Sequence, residues 1–395
     1  MITKFDSLFA GHVDMENVGY GGTAVNERRF SDERLATVFD KTAAIAQTLD
    51  RCGYDSFWLA EHHFQREGYE CIPNILLLHV HLAHLTRNIK LGCGFNITPM
   101  WHPLRLAEDF ATADILTGGR IIFGVGRGYH TREVETFGAP LRDQAANREL
   151  FEEQVEIVLK ALKQPSFSHH GKYYDLPPKV PYRGYELEEL TLVPRPRTQN
   201  FECWQPIQGA TQRAMDFMAK HGIKGVIGGG VAEGGAVHRI IEGYRDALAR
   251  TGRNVKLGED LSIGFHYYLA DNQRQAMKEA AKYYEENLKM FGPLRLVRSL
   301  TDQQIEDMSN PQKAPKAGLP TIEGAVRGGG VLCGPPEQIV MQLRELEEKY
   351  PGLERVSVGQ PMGTPQQVIL EQMEWFARDV MPAFKGRVQA KAPAR

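Results

Sequence analysis

Apolar positions along this chain alternate between two periods almost from end to end. DSFWLA, IKLGCGFNITP and RIIFGVG are short runs rich in β-branched and aromatic residues, as expected of strands buried in a sheet. Between such runs lie stripes at helical spacing: Leu35, Val38, Thr42, Ile45 and Leu49, then Phe151, Val155, Val158 and Leu162, and finally Ile369, Met373, Phe376 and Val380. NILLLHVHLAHL, residues 74 to 85, is apolar on nearly all sides. A helix of that kind is expected only where it is covered twice, by the core and by another subunit. With LFA, WQPIQGA, IKGVIGG, LSIGFHYYLA and LERVSVG as further strands, strand and helix alternate eight times. Repeated βα units close most simply into a TIM (β/α)8 barrel, with a doubly wound open sheet as the competing arrangement. The barrel is the expected fold.

Insertions are expected at about 10–30, 165–200 and 293–330. Within the second, FSHHGKYYDL reads as a small hairpin. Eleven of the twenty-eight residues from Ser309 to Pro336 are Gly or Pro, which predicts no helix there but a mobile excursion between the seventh strand and its helix, a candidate lid. Residues 1–385 read as one domain and 386–395 as a tail.

Composition narrows the partners. The 395 residues carry 47 basic and 49 acidic side chains, a formal charge of −2, so no global field attracts nucleic acid or an anionic membrane. No apolar run approaches the ~20 residues of a membrane span. The opening MITKFDSLFAGHVD lacks the long apolar stretch of a signal peptide. Five scattered cysteines without a CxxC suit reduced thiols, and a cytoplasmic location is expected.

Candidate chemistry begins at GYDSFWLAEHHF, where an apolar strand ends on Glu61, His62 and His63. On a continuing strand His62 and Glu61 would point to opposite faces, and adjacent histidines on opposite faces make poor joint ligands, so no metal is expected. Two glycine turns invite a dinucleotide reading and fail it: in GVGRGYH the third glycine position is Tyr129, and in GGGVAEGG it is Glu233. Anion binding is better served by Arg127 together with the turn Gly209, Ala210, Thr211 before a helix, whose free amides would face an anion. The plainer alternative is that Thr211 caps its helix and Arg127 pairs with a surface carboxylate, since caps and exposed arginines are abundant. Trp101, Tyr129 and Trp204, with Phe95, sit near predicted strand ends and suggest an aromatic substrate pocket, or packing of the barrel mouth.

GYDSFWLAEHHF, the block from GCGFNITPMWHPLRLAEDF through RIIFGVGRGYHTREVETFG, and the ending VMPAF closely resemble the bacterial luciferase-like flavin-dependent monooxygenases. The resemblance implies a barrel that binds reduced FMN (FMNH2) at the C-terminal ends of its strands and reacts it with O2. A flavin C4a-(hydro)peroxide then oxygenates a small, apolar or aromatic organic substrate. A separate NAD(P)H:flavin reductase would supply the flavin, and a homodimer is implied. Arg127 falls on the arginine that holds the FMN phosphate, with Ala210 and Thr211 on the backbone and hydroxyl donors beside it. His62 falls on the active-site histidine, with Glu61 next to it as a second catalytic candidate. Gly94 and Phe95 fall where the family has a non-prolyl cis peptide against the flavin ring. Luciferase itself has a reactive cysteine just before the arginine, and Gly126 stands there, which argues against light emission. Two alternatives remain open: an F420-dependent oxidoreductase on the same fold, and a non-catalytic flavin-binding subunit.

Overall fold

The computed structural model describes residues 1–228, 235–297 and 299–385; Glu233 and the expected tail lie outside these. Eight strands, β1 Lys4–Phe9, β2 Ser56–Leu59, β3 Lys90–Cys93, β4 Ile121–Gly126, β5 Cys203–Pro206, β6 Lys224–Gly228, β7 Leu261–Leu269 and β8 Arg355–Gly359, pair in parallel. They follow chain order around a ring. The ring closes where β1 pairs with β8, Lys4 opposite Arg355, and it is continuous through β4 and β5, with Phe123 opposite Cys203 and Gly124 opposite Trp204. The expected barrel is therefore present, and an open sheet is excluded.

The longer helices among the described residues are α1 Asp32–Arg51, α2 Ile75–Leu85, α3 Pro103–Leu116, α4 Gln144–Lys163, α5 Gln212–His221, α6 Ala236–Arg250, α7 Gln273–Phe291, α8 Pro336–Lys349 and α9 Gln366–Asp379. Strand alternation sorts the side chains between them and the barrel interior. Phe5, Phe57, Leu91, Phe123 and Val356, each fully buried, join the core shared with the helices. Burying each such side chain contributes roughly 1.5–3 kcal/mol. Contacts such as Phe123 with Phe110 of α3, ring centres 4.6 Å apart, and Phe5 with Phe376 of α9, 5.7 Å apart, fix the helices on the strands. The opposite faces of the strands fill the barrel: Trp58, Ile122 and Trp204 form a separate cluster with Phe95 and Val226 against them.

The excursion after α7 departs from expectation. It starts after the helix that follows β7, not before it, and it contains helices Asp302–Met308 and Ile322–Arg327 and a strand, Val331–Gly334, that pairs with the end of β7. Its glycines and prolines are used mostly at ends and turns. Thr301 and Gln304 make a reciprocal capping box for the first helix, which ends before Ser309, and Thr321 caps the second, so one short helix forms inside the segment where the count of helix breakers predicts none. The small hairpin is present as His169–His170 paired antiparallel with Asp175–Leu176.

The 10–30 segment is fastened to α7 by a buried charge cluster. Arg28 pairs with Glu286 at 3.0 Å, and Lys289 Nζ donates to Glu286 and to the carbonyls of Gly19 and Thr23. Tyr69 adds its hydroxyl to Glu286. Charges taken out of water are tolerable only when paired and hydrogen-bonded in this way.

Candidate active site

The C-terminal rim of the barrel is where βα loops bring distant residues together. β2 stops at Leu59, so the strict alternation assumed for Glu61 and His62 ends before it reaches them, and both are buried. Glu61 turns toward the loop after β3. Its carboxylate accepts from the amide of Ile97 at 2.7 Å and from Trp101 Nε1 at 2.8 Å, and lies 3.2 Å from His63 Nε2. That geometry ties the 94–101 segment to β2. The Gly94–Phe95 peptide is cis, as the resemblance implied. Phe95 is half-buried against Trp58, and Leu8 at the end of β1 is 44% exposed beside Gly94. An apolar side chain left open at the rim is what an apolar ring could cover.

The glycine turn after β4 acquires a physical purpose here. A Cβ on Gly124 would lie 1.9 Å from the carbonyl oxygen of Cys93, so only glycine lets the bulged segment after β3 cross this strand. Gly128 has φ +80° and no room beside Val134, a conformation glycine adopts without strain. The pattern that mimics a dinucleotide fingerprint is thus a packing requirement of the rim.

His62 is held from both sides. Its Nδ1 lies 3.2 Å from Glu133 Oε2, and its Nε2 lies 2.9 Å from the Tyr129 hydroxyl and 3.2 Å from Glu70 Oε1. Tyr129 in turn donates to Glu70 at 2.6 Å, and His130 Nε2 reaches the other Glu70 oxygen at 2.8 Å. Glu133 also accepts from the His63 amide and from Gln65 Nε2. Burial alone would push the imidazole down, but the Glu70, Glu133 and Glu61 carboxylates around it lift His62 above its ordinary value. The same imidazole contacts hold Glu133 below the usual carboxylate range despite its burial.

Sequence reasoning did not find Glu70, His130 or Glu133. They come from two different loops, and only the density of titratable residues in GYHTREVE and the lone acid in GYECIP hinted at them. His62, Glu70 and His130 also place three ligand-type atoms within 4.8 Å of one another, a grouping drawn from two loops that the opposite-faces argument about His62 and His63 does not reach.

Arg127 begins the turn after β4. Its Nε donates to Asn147 Oδ1 at 2.8 Å, and Nη2 donates to the carbonyl and side-chain oxygens of Gln144 at 3.0 and 3.1 Å. These fix the guanidinium on the first turn of α4, and none is a carboxylate. Half-buried, and with the like charges of Arg148 and Arg213 nearby, it is pushed down to about 10 even with Glu152 opposing them. Thr211 precedes α5 without a side-chain capping bond, so neither half of the plain alternative is realised. Gly209 is half-buried, while Ala210 and Thr211 are exposed.

Two aromatic assignments change. Trp204 is 2% exposed inside the barrel, edge-on to Trp58 at 5.8 Å with Nε1 donating to Glu202; it packs the interior and does not line a pocket at the rim. Tyr129 is half-buried, but its hydroxyl belongs to the polar cluster and is not merely an apolar wall. Trp101 remains half-buried at the rim, fixed by Glu61 and by Gln154 Nε2 on its carbonyl.

Comparison with known proteins now bears on this arrangement. The family model described as luciferase-like monooxygenase matches residues 15–351. The chain belongs to the luciferase-like monooxygenase family. It is 24% identical over 370 residues to the oxygenase component of flavin-dependent trigonelline monooxygenase from Acinetobacter baylyi, covering 91% of this chain and 94% of that one. It is 36% identical over 143 residues to the uncharacterized protein y4vJ of Sinorhizobium fredii, a match that spans 36% of this chain and 39% of that protein. Among solved structures, the oxygenating constituent of 3,6-diketocamphane monooxygenase from Pseudomonas putida, in complex with FMN, has a TM-score of 0.68 at 20% identity, covering 97% of this chain and 99% of that one. An F420-dependent secondary alcohol dehydrogenase has a TM-score of 0.62 at 14% identity, covering 97% and 99%.

Proposed function

We propose that this family member is the oxygenase component of a two-component, FMN-dependent monooxygenase. The observation that carries the reading is the anion cradle at the ends of adjacent strands β4 and β5. Arg127 is held by Asn147 and Gln144 with its Nη1 hydrogens uncommitted among the described residues, and the hydroxyl and first-turn amides before α5 have no cap. A phosphate suits that donor set, and the open apolar patch of Leu8, Phe95 and Gly94 suits the flavin ring. Arg127 and Thr211 would hold the phosphate of FMN, and Gly209 and Ala210 would offer backbone approach. When bound, reduced FMN supplies the electrons that activate O2, one oxygen atom going to the substrate and the other to water.

The chain's own part is orientation and proton control. Glu61 fixes the 94–101 loop and Trp101. His62 holds a proton at Nε2 beside Tyr129, as chemistry at near-neutral pH demands. Phe291, where α7 ends, packs on the Tyr129 ring at 6.3 Å, so the excursion that follows starts at the edge of the site; we read it as a lid that excludes water. Exposed Leu77 and Leu85 on α2 and Leu116 on α3 support a homodimer through that face. A reductase supplying FMNH2 and a small apolar or aromatic substrate complete the reading. Among the described residues no helix is long and apolar enough to cross a membrane.

The test is anaerobic titration with reduced FMN and reduced F420, followed by 18O2. Preferential FMN binding and 18O in an organic product support the proposal. Preference for F420 with oxygen-independent hydride transfer would replace it with the dehydrogenase alternative.

A further inference from the structure

The polar cluster at the rim contains a count that does not balance with neutral side chains. Three contacts run in series: Glu133 Oε2 to His62 Nδ1 at 3.2 Å, His62 Nε2 to the Tyr129 hydroxyl at 2.9 Å, and that hydroxyl to Glu70 Oε1 at 2.6 Å. Each needs a hydrogen between two heavy atoms. A neutral imidazole and a phenol bring two. One contact would then set lone pair against lone pair in a buried site, a costly arrangement. The series closes only with a third proton, carried by the imidazole as a cation or shared along the chain to Glu70.

We infer that Glu70 and Tyr129 are positioning residues that keep one transferable proton stored on His62, with Tyr129 as its outlet. The assignment rests on the oxygenase reading for what the proton is used for, but not for its existence. Glu70 is suited to the storage role because it is 1% exposed and His130 occupies its second oxygen, so its charge is aimed at the His62 side. Tyr129 is suited to the outlet because its hydroxyl, 2.9 Å from His62 Nε2, is the first atom that a proton leaving that nitrogen reaches. The groups facing His62 from every packed element are consistent with one stored positive charge. Glu61 and Glu70 come from the loop after β2, Glu133 from the short helix Thr131–Val134, and His130 from the turn after β4. Arg132 sits on the outer side, bound to Gln65 and Glu67. Two carboxylates in direct contact with one imidazole favour its charged form.

The test needs neither flavin nor oxygen. NMR titration of the His62 ring, assigned by loss of its signal in His62→Asn, is run on the apoprotein. The wild-type midpoint is expected above that of a free imidazole. Glu70→Gln is expected to lower it by about one unit or more, a tenfold change in protonation, and Glu70→Asp to restore most of the elevation. An unchanged midpoint in folded Glu70→Gln overturns the inference. Should that variant fail to fold, Tyr129→Phe decides: it leaves the Glu70 carboxylate, 3.2 Å from Nε2, as the direct partner of the imidazole, so the midpoint should stay above that of a free imidazole, and a midpoint at or below the free value overturns the proposal. Because the readout is on apoprotein, loss of FMN binding or of oxygenation would sink the functional reading and leave this result standing, and the reverse holds as well.

Discussion

Replacing Arg127 with alanine is the most direct probe of the cofactor assignment, and the structure sets its size. A guanidinium has five N–H donors. Nε is spent on Asn147 and Nη2 on the two Gln144 oxygens, which leaves the two hydrogens of Nη1 for an anion. Two charge-assisted bonds of about 1.5–3 kcal/mol each set an upper bound near 6 kcal/mol. Half-exposure and competing solvent reduce this to about 2–4 kcal/mol, or roughly 30- to 1000-fold in affinity. The loss must be confined to the phosphate. Anaerobic fluorescence titration with reduced FMN and reduced riboflavin separates the two: the wild type is expected to prefer FMN strongly, and Arg127→Ala to bring the two flavins close together by weakening FMN alone. Raising the salt concentration is expected to weaken FMN more than riboflavin in the wild type. Equal weakening of both flavins would mean that Arg127 acts by holding α4 in place, and an FMN affinity within about threefold of wild type would refute the cradle.

Four further outcomes follow from the geometry. Gly124→Ala is expected to lower stability by at least about 1–3 kcal/mol in urea, since its Cβ overlaps a backbone carbonyl that cannot rotate away. Gly264→Ala, whose nearest neighbour would be at 3.6 Å, should change it by less than about 0.5 kcal/mol. Leu77→Lys is expected to shift sedimentation toward a monomer with circular dichroism unchanged; a retained dimer rejects that face. Stability is also expected to depend on acid in a definite sense. Buried His79, whose Nε2 meets the Gly92 carbonyl, is pushed down to about 4 by burial. The unfolded chain therefore takes up a proton first, and stability should fall as pH drops from about 6.5 toward 4, by on the order of 2–3 kcal/mol. His79→Gln should remove its share of that fall, while His266, also pushed down to about 4 by burial, continues to contribute in the same sense. His62 has the opposite sign, because its elevated value gives stability that is complete below the ordinary imidazole range and lost as pH rises through the folded value.

The barrel was legible because its information is local. Each strand and helix announces its period over a dozen residues, and eight repetitions leave few ways to close. Errors in the fold arise where composition stands in for position. The glycine and proline count from Ser309 to Pro336 ignores where those residues fall: Pro320 precedes the cap and Gly328 follows the end of Ile322–Arg327, and the single glycine inside it, Gly324, is not enough to break it. Trp204 was misplaced for a related reason: nearness to a strand end in sequence does not say which end of the barrel is meant, and its neighbours Arg355 and Lys224 lie at strand starts.

The site was legible only as far as single residues carry a chemical signature. His62 and Arg127 have one; Glu70 does not, and nothing in GYECIP separates a buried acid from a solvated one. What gives Glu70 its role is a meeting between the loop after β2 and the turn after β4, which are some sixty residues apart, as the 59-residue separation of Tyr129 from Glu70 records. Glycine makes that meeting possible. Gly124 lets the segment after β3 pass beneath the turn, and Gly128 reverses the chain so that Tyr129 and His130 face back toward β2. A bulkier residue at either position should therefore disturb the His62 titration without touching any titratable group. If Gly128→Ala keeps the fold yet leaves the His62 midpoint where it was, the proton store does not depend on the turn that brings its members together, and the account of how this rim is built fails.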